Sequence, residues 1–338
     1  MQNHQSRREF MQTTLTTATA LSLADQILAQ TQATNGQGIP TRPLGNTGER
    51  VSILCLGGWH IAKATDEGES IRIMHAALDE GMTFFDNAWD YHDGGSEELM
   101  GKALADGGRR KKAFLMTKNC EQSYAGTKNN LEESLRRLRT DYLDLWQFHE
   151  MNYDSDPDWV FEKGGIKAAL EAQKAGKVRY IGFTGHKDPR IHLKMINKPY
   201  AWATAQMPIN VMDFHYRSFA KQVVPVCLKK KIGPIGMKSL GGSYPKGRIP
   251  SEGGVSAPDC IHYSLSQPIS SLVVGITSQK DLNQALAVGR NFQVMAKEKQ
   301  EAILARIHGV ASDGRHERFK STQAFDGPHH RKQHGFDV

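Results

Sequence analysis

From Ile53 to Val274 the chain alternates two kinds of segment. Short, nearly unbroken apolar runs stand at Ile53–Leu56, Thr83–Phe85, Ala113–Met116, Leu143–Phe148, Tyr180–Phe183, Ala203–Met207, Pro234–Met237 and Ser271–Val274. Between them lie longer stretches with apolar positions three and four apart. Examples are Ile71, Met74, Ala77 and Leu78; Leu131, Leu135 and Leu138; and Leu282, Leu286 and Val288. The second pattern is the buried stripe of an amphipathic helix. The first shows little polar alternation, as in strands covered on both faces of a parallel sheet. Ahead of the series, Arg42–Ser52 carries an Asn/Gly turn between two apolar edges and predicts a β-hairpin. Eight strand–helix units after one hairpin predict an α/β protein: a (β/α)8 TIM barrel over residues 40–310, with a C-terminal extension. A doubly wound sheet would place a Gly-x-Gly-x-x-Gly turn after its first strand. Leu56-Gly57-Gly58-Trp59-His60 stands there instead.

The two ends read differently from this middle. Ser6-Arg7-Arg8-Glu9-Phe10-Met11 precedes a weakly apolar run from Leu15 to Ala29. Paired arginines, a phenylalanine and a weak hydrophobic segment make up a twin-arginine export signal. Residues 1–35 are therefore expected to engage the twin-arginine translocase, to be cleaved near Ala29 or Ala33, and to send the protein to the periplasm. Residues 311–338 are polar and rich in His, Lys and Arg, including His329-His330-Arg331-Lys332-Gln333-His334. With no paired carboxylate or cysteine beside the histidines, this stretch is expected to be a solvated tail and not a metal site.

The charge balance of +7, with a pI near 9.1, favours anionic ligands. The basic runs Arg109–Lys112 and Lys229–Lys231 follow helix-like segments and lack the interleaved aromatics of a nucleic-acid surface. A mean hydropathy of −0.52 excludes a polytopic membrane protein, and nothing beyond the signal is long enough to span a bilayer. Cys55, Cys120, Cys227 and Cys260 are too widely spaced for a zinc ribbon and read as buried thiols.

Chemistry in such a barrel gathers where strands end. The polar residues after the apolar runs are Asp86-Asn87-Ala88-Trp89-Asp90-Tyr91, Thr117-Lys118-Asn119, Gln147-Phe148-His149, Thr184-Gly185-His186 and Gln206 to Asn210. An aspartate, a tyrosine, a lysine and a histidine thus leave three successive strands on one rim. Tyrosine, with a pKa near 10, is a weak acid at neutral pH, and an adjacent ammonium is expected to lower that value. A carboxylate would keep the lysine charged, and a neutral histidine would orient a carbonyl.

Phe85 to Tyr91 followed by Ser96-Glu97-Glu98-Leu99-Met100-Gly101, with Met116-Thr117-Lys118, Asp141 to His149 and Gly176 to Gly182, resembles the aldo-keto reductase superfamily. The likeness runs from about Arg42 to Leu286. It implies a nicotinamide-dependent oxidoreductase acting on an aldehyde, ketone or sugar, with Asp86, Tyr91, Lys118 and His149 as the catalytic four and Trp59 walling the substrate pocket. The cofactor would be held by Gly58, Thr184, Gln206, Met237, Gly275, Ser278, Lys280 and Gln284. Asp90 competes with Asp86, but its spacing from Tyr91 is wrong for the family. Three positions depart from the family pattern. Thr184-Gly185-His186 replaces a serine–asparagine pair, Met237 replaces an aromatic that stacks on the nicotinamide, and Asp281 stands where an arginine grips the adenosine 2′-phosphate. Asp281 argues for NAD(H), but Lys280 and Ser278 could compensate, and family habit makes NADP(H) the slightly favoured expectation over NAD(H). The competing expectation is a non-catalytic nicotinamide-binding subunit on the same barrel.

Overall fold

The computed structural model describes residues 25–31, 38–63, 66–242 and 248–337. Thr41–Pro43 (β1) and Arg50–Ser52 (β2) form the expected antiparallel hairpin, with Arg42 opposite Val51. Eight strands follow: Leu54–Gly57 (β3), Phe84–Asp86 (β4), Phe114–Asn119 (β5), Leu143–Phe148 (β6), Val178–Thr184 (β7), Thr204–Pro208 (β8), Gly233–Met237 (β9) and Ser271–Gly275 (β10). Each pairs in parallel with its sequence neighbour, and β10 returns to β3 to close the barrel. Every apolar run overlaps one strand. The ladders run on into the polar residues beyond: β4 ends on Asp86, and Lys118 on β5 stands opposite Gln147 on β6. Backbone pairing is indifferent to side-chain polarity, so it fixes the first polar residues of the rim as firmly as the core.

The expected helical stripes face inward. Met74, Ala77 and Leu78 are buried on helix Glu67–Asp79, as are Leu131 and Leu135 on helix Tyr124–Arg137. The hairpin closes the opposite, N-terminal mouth, where Leu44 and Val51 pack with Cys55, Phe84, Leu145 and Ile235. Gly45 there has φ +56°, and a Cβ on it would come within 2.4 Å of the Gly233 nitrogen. The turn therefore needs glycine. Arg42, fully buried, donates to the Leu265 and Ile269 carbonyl oxygens at the end of helix Ala257–Leu265. A groove lined by Asn46, Tyr180, Ala203 and Lys231 opens at this end, far in sequence from the catalytic candidates.

Of the expected export signal, only residues 25–31 are described, and Ile27 packs against the core. The paired arginines and Ala33 lie outside the described residues. Among the described residues no helix is long and apolar enough to cross a membrane.

The C-terminal segment corrects the expectation of a solvated tail. After helix Lys297–Ala311 it folds as Arg318–Ser321 and Pro328–Gln333, with Phe319, Lys320 and His330 buried. The cause is a set of ion pairs and hydrogen bonds between the segment and distant strand-end loops. The Lys320 ammonium, fully buried, donates to Asp213 at 2.7 Å and Glu317 at 2.9 Å. Asp326 accepts from Tyr153 and Lys187, both at 2.6 Å, and from Asn152 at 3.2 Å. The segment thus crosses the rim from β8 towards β5.

Candidate active site

Lys118, 1% exposed, holds the centre of the rim. Its ammonium donates to Asp86 Oδ1 at 2.5 Å and to the Asn87 carbonyl at 2.6 Å, and lies 3.4 Å from the Tyr91 hydroxyl. Tyr91 is held by a sharp local path. It opens a 3-10 turn, Tyr91–Gly94, in which His92 and Asp93 have φ near +55°. His92 Nε2 lies 2.8 Å from the Trp59 carbonyl, which ties this turn to the helix carrying Trp59. The Ser96-Glu97 part of the motif is scaffold. Ser96 donates to the Gly58 carbonyl, and buried Glu97 accepts from Thr117 at 2.6 Å and pairs with Arg137.

His149 stands edge-on to Tyr91, ring centres 5.7 Å apart. Its Nδ1 lies 3.3 Å from Asp90 Oδ1 and 3.3 Å from Cys120 Sγ. Asp86 is therefore the partner of Lys118, as the spacing argued, while Asp90 has a separate place behind His149. Burial opposes ionisation of Asp90, but His149 and Lys118 outweigh it and hold the carboxyl below its usual range. For Tyr91 the outcome reverses the expectation. Burial first, then Asp86, Asp90 and Glu150, push the phenol well above its ordinary value. Burial and these carboxylates disfavour the phenolate, so Tyr91 rests as a neutral phenol, the form that gives a proton. Burial also pushes the Asp86 carboxyl upward, against the pull of Lys118.

The nucleotide candidates lie on adjoining strand ends. Gln206, in the middle of β8, pairs with Thr184, the last residue of β7. Its Nε2 faces Met237 Sδ at 3.7 Å, and its Oε1 is buried without a donor. A nicotinamide carboxamide would supply that missing N–H, so these residues fit the group. Gly58 and Gly275 are glycines because the protein's own groups pack against them. A Cβ on Gly58 would meet the Asp86 carbonyl at 2.6 Å, and one on Gly275 the His60 ring at 2.6 Å. Ser278 caps helix Gln279–Arg290, with Lys280 exposed and Gln284 half-buried beyond it. Here Asp281 accepts from both the Thr277 hydroxyl, at 2.8 Å, and the Thr277 N–H, while its own N–H donates to Ser278. Donors that could meet a phosphate are already taken by a carboxylate.

Several rim residues were given no role by the sequence reading. Lys238 follows Met237 with φ +59°, and its ammonium lies 5.4 Å and 5.5 Å from the ring centres of Phe319 and Phe325 on the C-terminal segment. Burial lowers its pKa to about 8. Glu150, with φ +52°, accepts the Gly327 N–H at 2.9 Å. His186, at 3.3 Å from Asp326, is held neutral by burial, its pKa lowered to about 3. The signal for Lys238 and Glu150 was their place one and two residues after a strand. Nothing local marked Asp326 as their neighbour.

Residues 53–259 match the model of the aldo/keto reductase family. An aldo-keto reductase of Bacillus subtilis, YhdN, is 32% identical over 207 residues, 56% of this chain and 58% of that one. The 6-dehydroglucose reductase of Novosphingobium aromaticivorans is 31% identical over 166 residues, 44% of this chain and 53% of that one. The chain thus matches little more than half the length of these relatives. Among solved structures, the holo form of the aldo-keto reductase AKR11C1 from Bacillus halodurans superposes with a TM-score of 0.67 at 22% identity, covering 82% of this chain and 99% of that one. That likeness shows the barrel fold.

Proposed function

Since the chain belongs to the aldo/keto reductase family, we propose that it interconverts a carbonyl compound and its alcohol with a nicotinamide nucleotide, Tyr91 moving the proton. One observation carries this reading: the continuous series Asp86, Lys118, Tyr91 at the rim, with His149 beside the phenol. The nucleotide, when bound, supplies the hydride to the carbonyl carbon or takes it back. Tyr91 gives its proton to the carbonyl oxygen, and Lys118 stabilises the phenolate left behind. His149 orients the oxygen. Gln206 and Thr184 would hold the carboxamide end of the nucleotide, with Met237 beside them offering an apolar surface to the ring.

The substrate we infer is a small hydrophilic carbonyl, of sugar type. Tyr153 and Lys187, on the loops after β6 and β7, join Asp326 in a polar group on the rim, and Trp59 would supply one apolar wall. A reductase of an oxidised sugar among the relatives points the same way. Thr277 and Asp281 leave little for a 2′-phosphate, so NADH and NADPH should serve comparably. Export by the twin-arginine route is part of the reading, supported by residues 6–29. It requires the nucleotide to travel with the folded protein. Protein recovered from the periplasm should release bound NAD(P) on denaturation, and recovery there without nucleotide would remove this part.

The test is reduction of a carbonyl panel followed with NADPH and NADH separately. Tyr91→Phe should lower turnover by about two to four orders of magnitude while nucleotide binding persists. Undiminished turnover in that variant would exclude Tyr91 as the donor. Nucleotide binding with no turnover on any carbonyl would favour the non-catalytic reading.

A further inference from the structure

One cluster of chemistry-bearing side chains lies on the rim outside the catalytic four. His330, 2% exposed, has both ring nitrogens buried without a hydrogen bond. Its Nε2 lies 3.6 Å from Asp156 Oδ2, and its Nδ1 lies 3.9 Å from Glu150 Oε2. One helical turn on, His334 Nε2 lies 2.7 Å from Asp156 Oδ1. One ligand atom each from Asp156, His330 and His334 lies within 4.8 Å of the others. The rings of Tyr153 and Trp159 cover His334, with centres at 4.4 Å and 4.7 Å.

We propose that Asp156, His330 and His334 form a binding site for one divalent transition-metal ion of the zinc class. Separations of 3.6 Å and 3.9 Å are too long for hydrogen bonds. Two ligands of one zinc ion, each about 2.0–2.2 Å from it, stand roughly 3.3–3.5 Å apart. The His330–Asp156 separation is close to that value, while His334 and Asp156 would have to open by roughly 0.6–0.8 Å. Histidines four apart on one helix face form a metal-binding pair. Imidazole with carboxylate suits zinc, whereas calcium and magnesium take oxygen ligands. Glu150 stands on the far nitrogen of His330, where metal-bound histidines donate to a carboxylate. Charge agrees as well: two buried carboxylates, Glu150 and Asp156, balance a dication with both imidazoles neutral. A simple ion pair would account for His334 but leave His330 buried and unbonded.

The ion would staple the C-terminal segment to the loop after β6. That loop begins at His149 and runs on through Glu150, so metal would fix the segment against the rim beside His149. The site does not depend on the reductase reading. The full chain, stripped with a chelator and dialysed, is titrated with Co2+ and then with Zn2+ in competition. Expected are one equivalent bound with visible d–d absorption, displacement by Zn2+, and a raised Tm. Glu150→Gln should weaken binding about tenfold to a hundredfold, and His334→Gln by more. His329→Gln should leave it unchanged, because His329 faces Glu121 outside the cluster. Absence of a saturable equivalent, or loss in His329→Gln with retention in His334→Gln, overturns the site. The first outcome would leave a histidine–carboxylate ion-pair cluster, the second a surface chelate. His334→Gln is the main variant because its side chain lies nearer solvent than that of His330, and circular dichroism checks its fold.

Discussion

At the scale of single residues, the rim concentrates strain and charge. His92, Asp93, Glu150 and Lys238 all adopt left-handed φ without being glycine, and all lie on or beside the catalytic strand ends. Such conformations cost on the order of 1–3 kcal/mol each and persist where surrounding contacts impose them. Asp90 is the residue whose role the family likeness does not announce. Its carboxylate on His149 Nδ1 would hold the tautomer that presents Nε2 to a substrate. Asp90→Asn should lower kcat roughly tenfold to a hundredfold, about 1.4–2.8 kcal/mol of barrier, with nucleotide affinity unchanged. Steady-state kinetics beside nucleotide titration checks this, and an unaltered kcat would leave Asp90 no positioning role. Asp281→Arg replaces repulsion with a phosphate partner. It should improve NADPH over NADH by about tenfold in kcat/KM, and an unchanged ratio would mean that the 2′-phosphate lies elsewhere.

At the scale of elements, the C-terminal segment is held by charge more than by apolar burial. Asp326 meets Tyr153, Lys187, Asn152 and His186, which hold its carboxyl well below the ordinary range despite opposing burial. A depressed folded-state pKa contributes stability that is complete above the unfolded value, near 4, and is lost as pH falls through the lower folded value. The segment should therefore detach early in an acid titration, before the barrel melts. Asp326→Asn should destabilise it by about 1–3 kcal/mol at neutral pH and flatten that acid dependence. Limited proteolysis across the pH range reads both. The eight apolar runs foretold every barrel strand, because parallel strands covered on both faces have no other way to be written. The C-terminal segment escaped the same reading. Its anchors Glu150, Asp156 and Asp213 lie more than a hundred positions upstream, and a polar stretch looks alike whether its partners are water or carboxylates.

At the scale of the whole molecule, one closed sheet brings together groups the chain keeps far apart. Because the strands pair in chain order, Asp86, Lys118 and His149 emerge side by side. Closing β10 on β3 brings Gly275 against His60. A nucleotide that binds only this folded arrangement stabilises it by mass action. At a hundredfold excess over Kd the gain should be about 2.7 kcal/mol, seen as a raised Tm with NADH or NADPH. A Tm indifferent to both would count against the nucleotide site.

The sequence by itself determined the barrel, the hairpin and the place of Asp86, Tyr91, Lys118 and His149 on one rim, because periodicity and strand-end position are local properties that survive without coordinates. Gln206 beside Thr184 was legible for the same reason. Only the tertiary structure decided the state of Tyr91, since its proton is held by the sum of one ammonium and three carboxylates, a balance set by distances and burial. Only the fold, likewise, placed Asp90 behind His149 and carried His330 and His334 to Asp156. Those contacts join residues that are neighbours through the closed sheet and not along the chain.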